Sequence, residues 1–288
     1  MICNLCPRKC NAKRTEKSGE GFCGLSENLK VARIAPHMWE EPPISGSKGS
    51  GAVFFSGCTL RCVFCQNYEI SAENRGTVIT PEKLADEFKR LEKTDVHNIN
   101  LVSPTPYVNL IKNALEIYKP SVPVVYNSSG YERKSTIESL KGYIDIYLPD
   151  FKYSSNELAL NYSKAPDYTR IATDAINAMI QQTGENEYNE NGIMKKGVII
   201  RHLVLPNHTK NSIGVLDIIN DNFKNTPVSL MGQYVPVYKA EEYSKLSRKI
   251  TKREYNKVKN YMVELGLNGF SQELSSADKA FIPDWDYK

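Results

Sequence analysis

The chain has 288 residues, 41% hydrophobic and 24% charged, with a net charge of +4, enough to bury a full core in one large domain or two small ones. No stripe of Lys and Arg interleaves with aromatics, so no nucleic-acid partner is expected. No run of 18 apolar residues and no apolar N-terminal core occur, so neither a membrane span nor a secretory signal is expected, and a cytoplasmic location is.

All seven cysteines fall in the first 65 residues, a distribution that reads as metal or cluster ligation in a reducing compartment rather than a disulfide framework. Cys3, Cys6, Cys10 and Cys23 come first, spaced C-x2-C-x3-C-x12-C. Cys3 and Cys6 are too close for an easy bridge, and their gap is a metal-knuckle spacing. Gly21 and Gly24 flank Cys23 and allow tight turns. Four thiolates suffice for a structural zinc or a second iron–sulfur cluster; free thiols in a floppy segment are the plainer alternative. Residues 1–46 read as a cysteine-rich leader, joined through Glu40-Glu41-Pro42-Pro43 to residues 47–240. Residues 241–288 read as a C-terminal helix and a tail, with Phe281, Pro283 and Trp285 docking the tail.

The first strand-sized apolar run, Ala52 to Phe55, leads through Ser56-Gly57 to Cys58, Cys62 and Cys65, spaced C-x3-C-x2-C. Three thiolates this close suit a 4Fe-4S cube that keeps one iron open. A zinc site, a ferredoxin-type cluster and buried thiols are the alternatives. Structural zinc wants four ligands, whereas no histidine lies within twenty residues of this block and no fourth cysteine follows it. The block Gly57 to Asn67 resembles the radical S-adenosylmethionine (radical SAM) signature, in which an aromatic residue, here Phe64, precedes the third cysteine.

Further strand-sized runs follow at Ile99–Val102, Val122–Tyr126, Ile144–Leu148, Val198–Leu205 and Val228–Met231. Between them lie helical stripes. Thr80 and Pro81 open one with Leu84, Phe88 and Leu91. Val108, Ile111, Leu115 and Tyr118 make the next, then Ile137 with Leu140. Ile171, Ala175, Ala178 and Met179 follow, then Ile213, Leu216, Ile219 and Phe223. Thr251 caps the last, with Tyr255, Val258, Met262 and Leu265 on one face and Gly266 at its end. Glu185 to Asn191 reads as a surface loop, and the basic cluster Lys245 to Arg253 as a solvated face. Six strand–helix units imply parallel pairing with right-handed crossovers. The expected fold is α/β, a partial (β/α)6 TIM-like barrel of the radical SAM type behind a short cysteine-rich leader.

Ligands of parallel barrels bind where the strands end. The polar residues there are Ser103 and Thr105, Asn127 and Ser129, Asp150 and Lys152, Gln233 and Tyr234. Asn127 and Ser129 could instead form a turn, and Asp150 a cap or a plain ion pair with Lys152. Arg201 and His202 are neighbours in a strand, so one faces the barrel interior and the other the helices.

Segments from Glu40 to Tyr238, including Gly51–Ser71, Asn98–Tyr107, Asp145–Tyr153 and Arg201–His208, resemble the pyruvate formate-lyase activating enzyme family, in a branch without assigned substrate. The resemblance implies a 4Fe-4S cluster on Cys58, Cys62 and Cys65 whose open iron chelates SAM. It implies Ser103 and Thr105 near the SAM amine, Asn127 and Ser129 near its ribose and carboxylate, Asp150 and Lys152 beyond them, and His202 approaching SAM from strand five. Where the family has Gly-Gly-Glu after strand two, this chain has Ser103-Pro104-Thr105. The expected activity is reductive cleavage of SAM and hydrogen abstraction from a glycyl-radical enzyme, with flavodoxin or ferredoxin as donor. The rival readings are modification of a peptide or small metabolite, and a non-catalytic iron–sulfur or zinc protein.

Overall fold

The computed structural model describes residues 2–272, Leu274 and Trp285. A short ribbon, β1 (Ile2–Cys3) with β2 (Ala12–Lys13), precedes β3 (Leu29–His37), α1 (Pro42–Ser45), β4 (Ser50–Phe55), α2 (Tyr68–Ser71) and β5 (Thr77–Ile79). Then come α3 (Pro81–Glu92), β6 (Ile99–Val102), α4 (Val108–Ile117), β7 (Val124–Ser128), α5 (Lys134–Glu138) and β8 (Ile146–Pro149). The second half holds α6 (Asn156–Ser163), α7 (Tyr168–Thr183), β9 (Glu187–Tyr188), β10 (Met194–Val198) and β11 (Ile200–Leu203). It closes with α8 (Thr209–Phe223), β12 (Val228–Met231), α9 (Lys252–Glu264) and β13 (Gly269–Ser271).

Strands β4, β6, β7, β8 and β10 pair in parallel in that order. Past Ile199 the chain continues as β11, which pairs in parallel with β12, and β12 with β13. Asp150, just after β8, bridges to Arg201 in β11, and the Phe151 amide donates to the Arg201 carbonyl at 2.7 Å. The parallel surface therefore runs on from β8 through β11 to β12, giving the six barrel positions expected from the apolar runs. The fold is a mixed α/β partial barrel: no described strand pairs β13 back to the opposite edge, where β3 and β5 add antiparallel neighbours to β4.

Alternation along the strands separates two cores. Val53, Phe55, Leu101, Tyr126 and Tyr147 pack outward against Leu84, Phe88, Ile111 and Leu115 of the helices. Val125, Ile146 and Leu148 face inward on Ile44 of α1, and Ala52 and Phe54 form a second inner patch. Local signals agree with this packing. The Thr80 hydroxyl accepts from the Lys83 amide to open α3, and Thr251 with Glu254 forms a capping box on α9, each worth about 1 kcal/mol.

Besides the short elements β1, β2, β5, α1 and α2, which the sequence reading did not mark, four elements differ from it. Part of the segment read as a leader supplies β3, the nine-residue neighbour of β4. Glu187–Tyr188, read as loop, pairs with β10 in a hairpin; both residues are exposed, so no burial pattern marks them. Helix α6 buries only Ala159, Tyr162 and Ser163 and so shows no apolar stripe. Strand β13 is three residues long and likewise unmarked. Of the tail residues read as docking, Trp285 meets Phe54 edge-on with ring centroids 5.3 Å apart; Phe281 and Pro283 lie outside the described residues.

Candidate active site

The loop after β4 turns at Gly57, whose φ of +85° suits glycine, and a Cβ there would collide with Leu25 at 2.4 Å. Arg61 also holds a left-handed backbone, φ +51°. The loop brings Cys58, Cys62 and Cys65 to one wall of a cavity of about 230 Å³ at the C-terminal ends of the strands. Donors already point at all three sulfurs. The Leu60 amide lies 3.3 Å from Cys58 Sγ, the Ser163 hydroxyl 3.0 Å from Cys62 Sγ, and the Ser71 hydroxyl 3.2 Å from Cys65 Sγ. Burial raises the Cys62 thiol, and burial with Cys62 alongside pushes Cys65 up to about 12. These thiols ionise readily only when a positive centre takes the proton's place. Among the described residues no group of three or more His, Cys, Asp or Glu side chains forms a ready-made single-ion site.

The opposite wall is polar. Ser103, Asn127, Ser129, Asp150, Lys152 and Arg201 all line it, as does Phe64 beside the cysteines. Asp150 is the hub: one oxygen sits 2.5 Å from Lys152 Nζ and the other 3.0 Å from Arg201 Nε. Burial alone would raise the Asp150 carboxyl, but the Lys152 and Arg201 charges outweigh it and hold it below the ordinary range. Burial would lower Lys152, yet Asp150 more than reverses that and keeps the ammonium charged. Arg201 continues to Glu40 at 3.1 Å and to Asn127 at 2.5 Å. Glu40 in turn accepts from Asn100 at 2.9 Å and Asn127 at 3.2 Å.

Two residues read as SAM contacts face elsewhere. His202 is fully buried on the helix side, its Nδ1 2.7 Å from the Phe151 carbonyl oxygen. Its neighbour Arg201 takes the inward position, the consequence of strand alternation. Thr105 lies in a 3-10 turn and donates to Glu132 at 2.7 Å, behind the cavity wall. Ser103 does reach the cavity, with a left-handed backbone at φ +59° where the resembling family has glycine. Sequence reasoning passed over Glu40 as a site residue, and over Ser71 and Ser163, whose contact with the cysteines only the fold reveals.

An open partial barrel with three cysteines on the loop after its first parallel strand defines a class. The profile described as the Radical SAM superfamily matches residues 52–216, more than half of the chain. The chain belongs to this superfamily of enzymes, and membership implies a 4Fe-4S cluster and SAM. An uncharacterized protein of Methanocaldococcus jannaschii is 33% identical over 266 residues, covering 89% of this chain and 72% of that one. Among solved structures, a radical SAM methyltransferase from Sphaerobacter thermophilus superposes with a TM-score of 0.53 at 12% identity, covering 77% of this chain and 65% of that chain. Streptococcus suis SuiB bound to the precursor peptide SuiA gives a TM-score of 0.50 at 16% identity, covering 77% of this chain and 48% of that chain. The chain thus spans about half to just under two thirds of those structures' lengths, and at such identities the likeness is one of fold. No helix among the described residues is long and apolar enough to cross a membrane.

Proposed function

We propose that the protein is a radical SAM enzyme of the activating type, whose substrate is a glycine backbone in a partner glycyl-radical enzyme. The convergence of Cys58, Cys62 and Cys65 with the Asp150–Lys152–Arg201 cluster on one cavity supports the radical SAM part of the reading, and the activating role rests on the resemblance of the segments between Glu40 and Tyr238. The donor set fits a 4Fe-4S cluster: three thiols, each already offered one hydrogen-bond donor, with no fourth cysteine on the cavity among the described residues. Held by Cys58, Cys62 and Cys65, such a cluster would supply the single electron for reductive cleavage of SAM to methionine and a 5′-deoxyadenosyl radical, the species that would take a hydrogen atom from the substrate.

The chain's own residues do the rest. The Leu60 amide and the Ser71 and Ser163 hydroxyls stabilise thiolate charge and so tune the potential. Asp150, Lys152 and Arg201 give the SAM amino-acid and ribose groups fixed charges and acceptors, with Ser103, Asn127 and Ser129 beside them. Phe64 packs against Tyr162 and Tyr234, centroids 6.5 and 6.1 Å away, and shields the cysteine loop from water. A flavodoxin or ferredoxin is the expected electron donor.

The test is anaerobic incubation with SAM, dithionite and a glycyl-radical enzyme, read by EPR. A glycyl doublet on the partner, with 5′-deoxyadenosine released, supports the activating role. Release without a doublet moves the substrate to a peptide or small metabolite and leaves the radical SAM reading intact.

A further inference from the structure

A second set of thiols lies outside the cavity. Cys3, Cys6, Cys10 and Cys23 line one small pocket with Arg8 and Arg14, and none is in a disulfide. Cys3 is fixed by the pairing of β1 with β2. The Lys9 amide donates to the Cys6 carbonyl at 3.3 Å, turning the chain between Cys6 and Cys10. The Gly24 amide donates to the Gly21 carbonyl at 2.8 Å, turning it around Cys23. Gly21 leaves the space: a Cβ there would sit 3.1 Å from Cys10 Sγ and 4.0 Å from Cys23 Sγ. Arg14 Nη2 points at Cys23 Sγ from 3.3 Å, a cation set against a thiol.

This pocket is tied to the cysteine loop of the cavity. The Cys23 carbonyl accepts from Arg61 Nη2 at 2.7 Å, and Arg61 lies between Cys58 and Cys62. Arg8 Nε donates to the Thr59 carbonyl at 2.8 Å, and its Nη2 to the Ser163 carbonyl at 2.7 Å. Ser163 is the residue whose hydroxyl reaches Cys62. Leu25, two residues after Cys23, fills the space against Gly57.

We infer that Cys3, Cys6, Cys10 and Cys23 ligate a thiophilic metal centre, zinc or iron–sulfur, that fixes the leader and, through Arg61 and Arg8, the conformation of the Cys58–Cys65 loop. Only the second half of this inference rests on the proposed cluster at Cys58, Cys62 and Cys65. Four thiol donors, a first gap of two residues and a glycine facing the sulfurs suit such a centre; the four sulfurs do not stand as a ready-made single-ion site, so ligation draws them together. Each thiol gives up its proton on ligation, with no change in its oxidation state. Cys10 is the exposed member and closes the set.

The experiment uses the full chain carrying Cys58→Ala, Cys62→Ala and Cys65→Ala, so the result does not depend on the cavity's chemistry. Elemental and sulfide analysis after anaerobic loading with zinc, or with iron and sulfide, reads the leader alone. One zinc per chain, or iron with matching sulfide, is expected, falling at least tenfold on adding Cys10→Ser, a change at an exposed side chain. Gly21→Val, which fills the pocket without removing a thiol, is the second variant and is expected to do the same. No bound metal, or metal retained in both variants, overturns the site. For the positioning role, Cys10→Ser is placed in the otherwise native chain. A changed EPR spectrum of the reduced cluster is expected, and an unchanged one overturns that role.

Discussion

Arg201 Nη1 lies 3.1 Å from Glu40 Oε2, joining residues 161 positions apart across the barrel interior. The same guanidinium holds Asp150 and Asn127, so β7, β11, the end of β8 and the segment before α1 meet on one side chain. Both partners are about nine-tenths covered, where removing one member of an ion pair leaves the other uncompensated. Arg201→Met is expected to cost about 3 kcal/mol in urea unfolding. A loss within experimental error would mean that water reaches the network freely.

Glu132 sets a pH dependence. It is buried against the Thr105 hydroxyl at 2.7 Å and the Tyr126 hydroxyl at 3.3 Å, and burial pushes it from 4.5 up to about 7. A carboxyl raised in the folded state holds its proton more tightly there than in the unfolded chain. Its burial is therefore tolerated best below the unfolded value, and stability drains away as pH climbs from about 4.5 to about 7. At about 1.4 kcal/mol per unit, the loss is about 3 kcal/mol. Glu132→Gln is expected to remove that decline, measured by comparing urea midpoints of parent and variant near pH 5 and pH 8. Parallel declines in the two proteins would assign the effect to other groups.

The hydroxyl donors at the cysteines predict a redox effect. The Ser71 hydroxyl at Cys65 favours the more negative, reduced state of a cluster held there. Ser71→Ala is expected to lower the midpoint potential by about 40 mV, the equivalent of one hydrogen bond of about 1 kcal/mol for one electron. An EPR-monitored redox titration reads it, and a potential that rises would reverse the assigned role of the hydroxyl.

Ser103 carries backbone strain at the cavity wall, with φ +59°. A side chain in this region costs about 1–2 kcal/mol, and glycine's extra freedom when unfolded returns part of the gain. Ser103→Gly should raise stability by about 1 kcal/mol, seen as a higher midpoint in thermal or urea unfolding. A lower midpoint would mean that the Ser103 hydroxyl contributes more than the strain it tolerates.

The barrel was legible because its strands are covered on both faces. Ala52–Phe55 is apolar throughout and Val228–Met231 is apolar but for Ser229, and every residue in both runs is buried. The cysteine loop was legible from spacing alone. Facing was not, because a shift of one residue reverses it. Strand alternation left open which of Arg201 and His202 faces inward, the resemblance pointed to His202, and it is Arg201 that lines the cavity; the irregularity at Ile199 between β10 and β11 hides the phase of the strand. Ser163 contacts Cys62 from 101 residues away, and Glu40 meets Arg201 across the whole barrel. Such pairings arise from chain crossing, which no local pattern encodes. The exposed hairpin strand Glu187–Tyr188 escaped notice because its hydrogen bonds, not its side chains, define it.

The most direct test of the central claim is release of 5′-deoxyadenosine from SAM by the anaerobic, cluster-reconstituted protein with dithionite, beside a Cys62→Ala control. The account predicts product from the parent and none above background from the variant. A parent that binds a 4Fe-4S cluster yet releases no 5′-deoxyadenosine would contradict it and leave the cavity a binding or electron-transfer site.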